Sequence, residues 1–224
     1  MFDETSMTQG LAGLGYRRLK KLTYKASWSS IDVEHFLFLS LYGGGNYFHC
    51  EFGIRNPAAE QFAVECLRLF GGSLFQDLRF DRRYDCHMRY SLGMWAGWGI
   101  RWSLAVSKMS QAALVDRVKS DVRDTLFPVI RSVLSVADLF ALLLKDDEPC
   151  RWLRVSGTVR GAMIVFLGRR MGMERREIEG LLQPYLREIG AHMGHRTTER
   201  PLSPSAFLTK VLDHADQKDL DVRA

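Results

Sequence analysis

EHFLFLSLYGGGNYFHCEFGIR, residues 34–55, decides how this chain folds. Glu34 to Tyr42 is rich in Phe and Leu, and Tyr47 to Arg55 alternates, the period-two pattern of a strand with one covered face. Between them Gly43-Gly44-Gly45-Asn46 tolerates the positive φ of a tight turn, so the stretch predicts a β-hairpin. A glycine run also suggests a phosphate-binding loop. Such a loop leads into a helix N-terminus, commonly through Lys-Ser/Thr, whereas here a strand follows.

On the C-terminal side, Asn56-Pro57 predicts a helix start, because Asn caps free backbone N–H groups and Pro at the first helical position has no N–H to waste. Phe62, Cys66, Leu67 and Phe70 keep helical spacing and Gly71-Gly72 ends the run. Tyr84 to Leu92 alternates strictly, placing Tyr84, Cys86, Met88, Tyr90 and Leu92 on one face and Asp85, His87, Arg89 and Ser91 on the other. Ile100 to Val106 alternates too, with Ile100, Trp102, Leu104 and Val106 together. One covered and one polar face is antiparallel-sheet behaviour. On the N-terminal side, Asp3 to Leu14 reads as a short helix stopped by Gly13 and Gly15, and Leu19 to Trp28 as a basic strand or extended arm.

From Ser110 the period becomes helical. Ser110 and Ser135 read as N-caps of helices near 111–134 and 136–145, with Pro128 kinking or splitting the first. An αα-hairpin follows: Val155, Val159, Met163 and Phe166 stripe one helix, Ile178, Leu181, Leu182, Tyr185 and Ile189 the next, and Gly168 to Gly172 hosts the turn. After a polar, Pro-containing stretch over 195–205, Ala206 to Ala215 predicts a last helix. Strands thus precede helices, which argues an α+β fold rather than a doubly wound one. The expected fold is an N-terminal antiparallel sheet with packed helices, then a mostly helical part containing an αα-hairpin. The expected division is a sheet-and-helix domain over 1–148, a hairpin extension over 149–194, and a linker with terminal helix over 195–224.

Composition narrows the classes. The 224 residues are 46% hydrophobic and 25% charged, which is globular rather than disordered, and the net charge is +5. The surplus is uneven: residues 16–25 hold Arg17, Arg18, Lys20, Lys21 and Lys25 with no acid, and residues 151–200 hold ten arginines, no lysine and five glutamates. Cys50, Cys66, Cys86 and Cys150 form no C-x-x-C pair, so neither a zinc site, a structural disulfide nor any other cofactor is expected. The opening MFDETSMTQG lacks the basic and apolar regions of a signal peptide, and the longest apolar stretch, His35 to Tyr42, is strand-length. The expectation is a cytoplasmic protein without a membrane partner.

No G-x-S-x-G, H-E-x-x-H, kinase or dinucleotide pattern is present. His49, Glu51 and Arg55 share one strand face, as do Asp85, His87 and Arg89. If those strands are neighbours, imidazoles and carboxylates converge, which suits a solvated ion-paired face, a partner-binding face or acid–base chemistry. Trp95 and Trp98, flanked by glycines in Gly93–Gly99, either cap the sheet or anchor an interface. His192 and His195 have helical ligand spacing but follow Gly190 and have no third ligand nearby. The candidate partner-binding residues are therefore Trp95, Trp98, His49, Glu51, His87 and Arg89. Arg169, Arg170, Arg175 and Arg176 are the candidates for a nucleic-acid alternative, opposed by Glu174, Glu177 and Glu179 on the same helix.

Leu14-Gly15-Tyr16-Arg17-Arg18, the hairpin into Phe52-Gly53-Ile54, Cys86-His87-Met88-Arg89 and Leu126-Phe127-Pro128 carry a resemblance over the N-terminal two-thirds. In them the chain resembles a bacterial family of uncharacterised α+β domains, some members of which are assigned as immunity proteins beside polymorphic or contact-dependent toxins. The resemblance implies a protein partner, a cognate toxin, and carries over no catalytic residue.

Overall fold

A computed structural model describes residues 2–71, 86, 88–99, 103–145, 157–187, 189–190 and 202–218. The chain divides into two compact units that interleave along the sequence: residues 1–54 with 88–135, and residues 55–87 with 136–224. Consecutive blocks at 1–148, 149–194 and 195–224 do not anticipate this interleaving.

The first unit begins with α1 (Glu4–Ala12). Asp3 caps it, its carboxylate accepting the backbone N–H of Thr5 at 2.9 Å, and Met7 and Leu11 are buried. The predicted single arm is instead a second hairpin, β1 (Tyr16–Lys20) and β2 (Thr23–Ala26). Leu22 turns the chain with φ +56°, an uncommon conformation for a branched residue and one that pattern reading does not foresee.

The decisive stretch forms β3 (Glu34–Tyr42) and β4 (Tyr47–Arg55). Gly43, Gly44 and Gly45 all take positive φ, which only glycine adopts three times running. β5 (Met88–Ser91) and the short β6 (Leu104–Ala105) complete the antiparallel sheet. The strand order is β1-β2-β3-β4-β5, with β6 also pairing β4. Two predicted strands are therefore shorter than their alternation. Leu92 opens a helical turn, α3 (Leu92–Trp95), and Val106 opens a 3-10 turn. Tyr84, Asp85, His87, Ile100 and Trp102 lie outside the described residues.

Tyr16, Tyr24, Leu37, Phe48, Cys50, Phe52, Ile54, Met88 and Tyr90 are buried on the inner face of this sheet. Cys86, Met88, Tyr90 and Leu92 are buried as predicted, while Arg89 is not. Helix α4 (Gln111–Asp121), capped by Ser110, packs on α1. The helices approach so closely that a Cβ at Gly10 would lie 2.4 Å from Val115 Cγ1. Before Pro128 the helix loosens into a π turn at Val122–Leu126, then resumes as α5 (Phe127–Ile130). Proline removes a backbone donor and crowds the preceding turn, and the wider turn absorbs both effects.

The second unit contains α2 (Pro57–Phe70), α6 (Val136–Leu144), α7 (Gly157–Arg170), α8 (Arg175–Leu182) and α9 (Pro204–Gln217). Asn56 caps α2, accepting the Ala59 N–H at 2.8 Å. The αα-hairpin is present as α7 and α8, but α7 is not a striped surface helix. Every residue from Gly157 to Gly168 is buried, with α2, α6, α8 and α9 packed around it. Its glycines let neighbours approach: a Cβ at Gly161 would lie 3.2 Å from both Ile189 and Leu208, and one at Gly168 would lie 3.0 Å from Ile178. The expected stripe of Val159, Met163 and Phe166 is thus only part of what α7 buries, while α8 buries only Ile178 and Leu182.

Candidate binding surface on the sheet

β4 and β5 are neighbours, with Glu51 opposite Ser91 and Gly53 opposite Arg89. Side chains alternate across a strand, so inward Phe48, Cys50 and Phe52 oblige His49 and Glu51 to face outward. On that outer face the Arg89 guanidinium lies 3.8 Å over the Phe38 ring, and its Nη1 is 3.7 Å from Glu51 Oε2. His49 Nε2 is 3.7 Å from the other Glu51 oxygen. Side-chain exposures are 20% for His49, 31% for Glu51 and 38% for Arg89, so the cluster meets solvent yet is laterally held. Tyr42 and Tyr47 stack at 5.3 Å beside the glycine turn, and the Tyr42 hydroxyl bonds the Ser103 hydroxyl.

Sequence reasoning missed Phe38, Tyr42 and Tyr47. In HFLFLSLY both strand faces are apolar, so alternation cannot tell which ring turns outward. The expected convergence of two imidazoles and two carboxylates was conditional on strand pairing; β4 and β5 do pair, but of that set only His49 and Glu51 belong to the described residues, Asp85 lying outside them. His87 lies outside the described residues.

The two tryptophans do not join this cluster. Trp98 is 4% exposed, tilts against Phe48 at 6.1 Å and donates its Nε1–H to Asp121 Oδ2 at 2.6 Å. Trp95 is half-buried against Phe52 at 5.0 Å and Tyr90 at 4.9 Å, both inner-face rings. The expected interface of Trp95 and Trp98 with His49, Glu51 and Arg89 is thus split between opposite sheet faces. The capping role describes the indoles, and Trp98 is part of the core.

The outer cluster brings an imidazole, a carboxylate, a guanidinium and an aromatic ring together. An imidazole beside a carboxylate can accept a proton, but the neighbouring thiol on β4 faces inward. Burial, reinforced by the charges of Glu51 and Asp121, pushes the Cys50 thiol far up, so it stays protonated and inert. Among the described residues no group of three or more His, Cys, Asp or Glu is placed to hold a metal ion. Cys50, Cys66 and Cys86 are free thiols, while Cys150, His192 and His195 lie outside the described residues.

Acids of the same unit occupy two of the four candidate arginines. Arg175 bonds Glu179 at 2.9 Å, Asp213 at 2.8 Å and Asp216 at 3.1 Å, and these hydrogen bonds and charges raise its already high pKa further. Arg169 pairs with Asp216 at 3.1 Å. Arg170 and Arg176 are exposed. Arg169 and Arg175 therefore fasten α9 to the α7–α8 hairpin through Asp213 and Asp216.

The chain matches no known protein family, no curated protein and no solved structure. No described helix is long and apolar enough to cross a membrane.

Proposed function

We propose that this is a non-catalytic binding protein of the cytoplasm, an immunity-type factor that covers the active site of a bacterial toxin with the outer face of β3, β4 and β5. The observation that carries this reading is Arg89, stacked on Phe38 and directed at Glu51, on a surface that also presents His49 and the Tyr42–Tyr47 pair. Arginine and tyrosine, with tryptophan, are the side chains enriched at binding hot spots, and stacking orders them before a partner arrives. The immunity role comes from the resemblance of the N-terminal segments.

Co-expression with a toxin encoded beside this gene tests the proposal. The expected result is a stable complex and restored growth, with affinity falling at least about tenfold for Arg89→Glu while the melting temperature holds. Arg89→Glu and Tyr47→Ala variants that melt like the parent and still protect cells sink the assignment to this face.

A further inference from the structure

The first hairpin carries a charge pattern that the β3–β5 face does not use. β1 stands at one end of the strand order, and Arg17, Arg18, Leu19 and Lys20 are all exposed, with Lys21 exposed beside them. Arg17 lies directly opposite Lys25 in the β1–β2 register, and like charges so placed destabilise a ladder. Acids from other elements answer part of this charge: Glu4 of α1 is 3.0 Å from Arg18, and Glu34 of β3 pairs with Lys25. Residues 16–25 contain no acid of their own. The edge therefore combines main-chain pairing groups with a one-signed row of cations.

We propose that β1 docks an acidic, extended segment of another protein, which adds as an outer strand along Tyr16–Lys20 with its carboxylates facing Arg17 and Lys21. Charge complementarity selects this occupant. A second copy of the same strand brings the same cations and is repelled, which is how charged edges prevent self-association. A nucleic acid answers the charge but not the main chain, whereas strand addition uses both. The register shift between Arg18 and Lys20 limits the regular edge to a few residues, so the cations make a large contribution to affinity and specificity. The inference does not rest on the outer-face reading, because β2 and β3 separate β1 from β4.

The test titrates the full chain with a fluorescein-labelled peptide alternating glutamate with valine. Its lysine-for-glutamate counterpart, a backbone N-methylated version and an oligo-dT strand run beside it. The proposal expects saturable binding of the acidic peptide alone, slowed amide exchange at Tyr16–Lys20, and at least about tenfold weaker binding by Arg17→Gln/Lys21→Gln. Arg17→Gln alone gives a smaller loss in the same direction if the double variant folds poorly, and Lys108→Gln, at an exposed cation remote in sequence from this hairpin, leaves binding unchanged. No binding, equal binding of the N-methylated peptide, or preference for the oligonucleotide overturns it.

Discussion

The guanidinium of Arg160 lies 4.3 Å over the ring of Tyr185, and both side chains end on carbonyls at the C-terminus of α6. Arg160 donates to Leu143 O and Lys145 O at 2.8 Å each, and the Tyr185 hydroxyl donates to Leu144 O at 2.6 Å. The last carbonyls of a helix have no partner within it and carry its negative dipole end, so a cation there is favoured twice. Arg160 is 9% exposed on the buried helix α7, where a charge persists only with such partners. Replacing it with Ala should cost about 2–4 kcal/mol, and Tyr185→Phe about 1 kcal/mol. Urea denaturation with an unchanged slope checks both, and a neutral Arg160→Ala variant refutes the cap.

The tryptophans should respond unequally to loss of the indole N–H. Trp98→Phe removes a hydrogen bond to a carboxylate and leaves Asp121 with one donor fewer, costing about 1.5–3 kcal/mol. The Trp95 Nε1 is buried with no partner among the described residues, so Trp95→Phe discards an unpaired donor and should be close to neutral. Equal losses in the two melting curves would contradict these positions.

His35 predicts a pH dependence. Its Nε2 donates to the Val133 carbonyl at 2.8 Å, and its ring lies 4.5 Å from Trp28. Burial lowers its pKa from 6.5 to about 4, opposed by the bond to Val133. The unfolded chain therefore binds the proton first. Stability is complete above about pH 6.5, falls on acidification towards pH 4, and levels off below, a total loss of ~3 kcal/mol. His35→Gln should flatten that limb in denaturation midpoints measured across the window. A parent protein equally stable at both ends would exclude the buried neutral imidazole.

A second acid-sensitive contact joins α9 to α2. Glu65 accepts from Lys218 and lies 3.2 Å from His214 Nε2. Partial burial raises its pKa, but Lys218 and His214 outweigh that and hold it below the usual carboxylate range. Its contribution is present above that range and lost as pH falls through the lowered value. Glu65→Gln should therefore destabilise the protein at neutral pH and approach the parent in acid. Parallel pH curves for the two proteins would count against the pairing.

Much of the fold was legible because local rules and burial agreed. Asn56 and Ser110 cap the helices they were expected to open, and the glycine turn joins two strands with the predicted bounds. Local signals failed where distant neighbours decided. Val159, Met163 and Phe166 look like one stripe, yet helices from both ends of the unit's sequence surround α7 and bury its other sides. The outer cluster of the sheet was half legible: His49, Glu51 and Arg89 showed in their alternation, while Phe38 did not.

The sequence by itself determined the element types, the caps, the inward and outward faces of β4, and the one-signed charge of residues 16–25, because each depends on near neighbours and a fixed period. Only the tertiary structure decided which strands pair, that the tryptophans and Arg89 occupy opposite sheet faces, and that Arg169 and Arg175 face acids of α9. Those outcomes depend on contacts between residues far apart along the chain, and pairing register is a property of two segments together that neither carries alone.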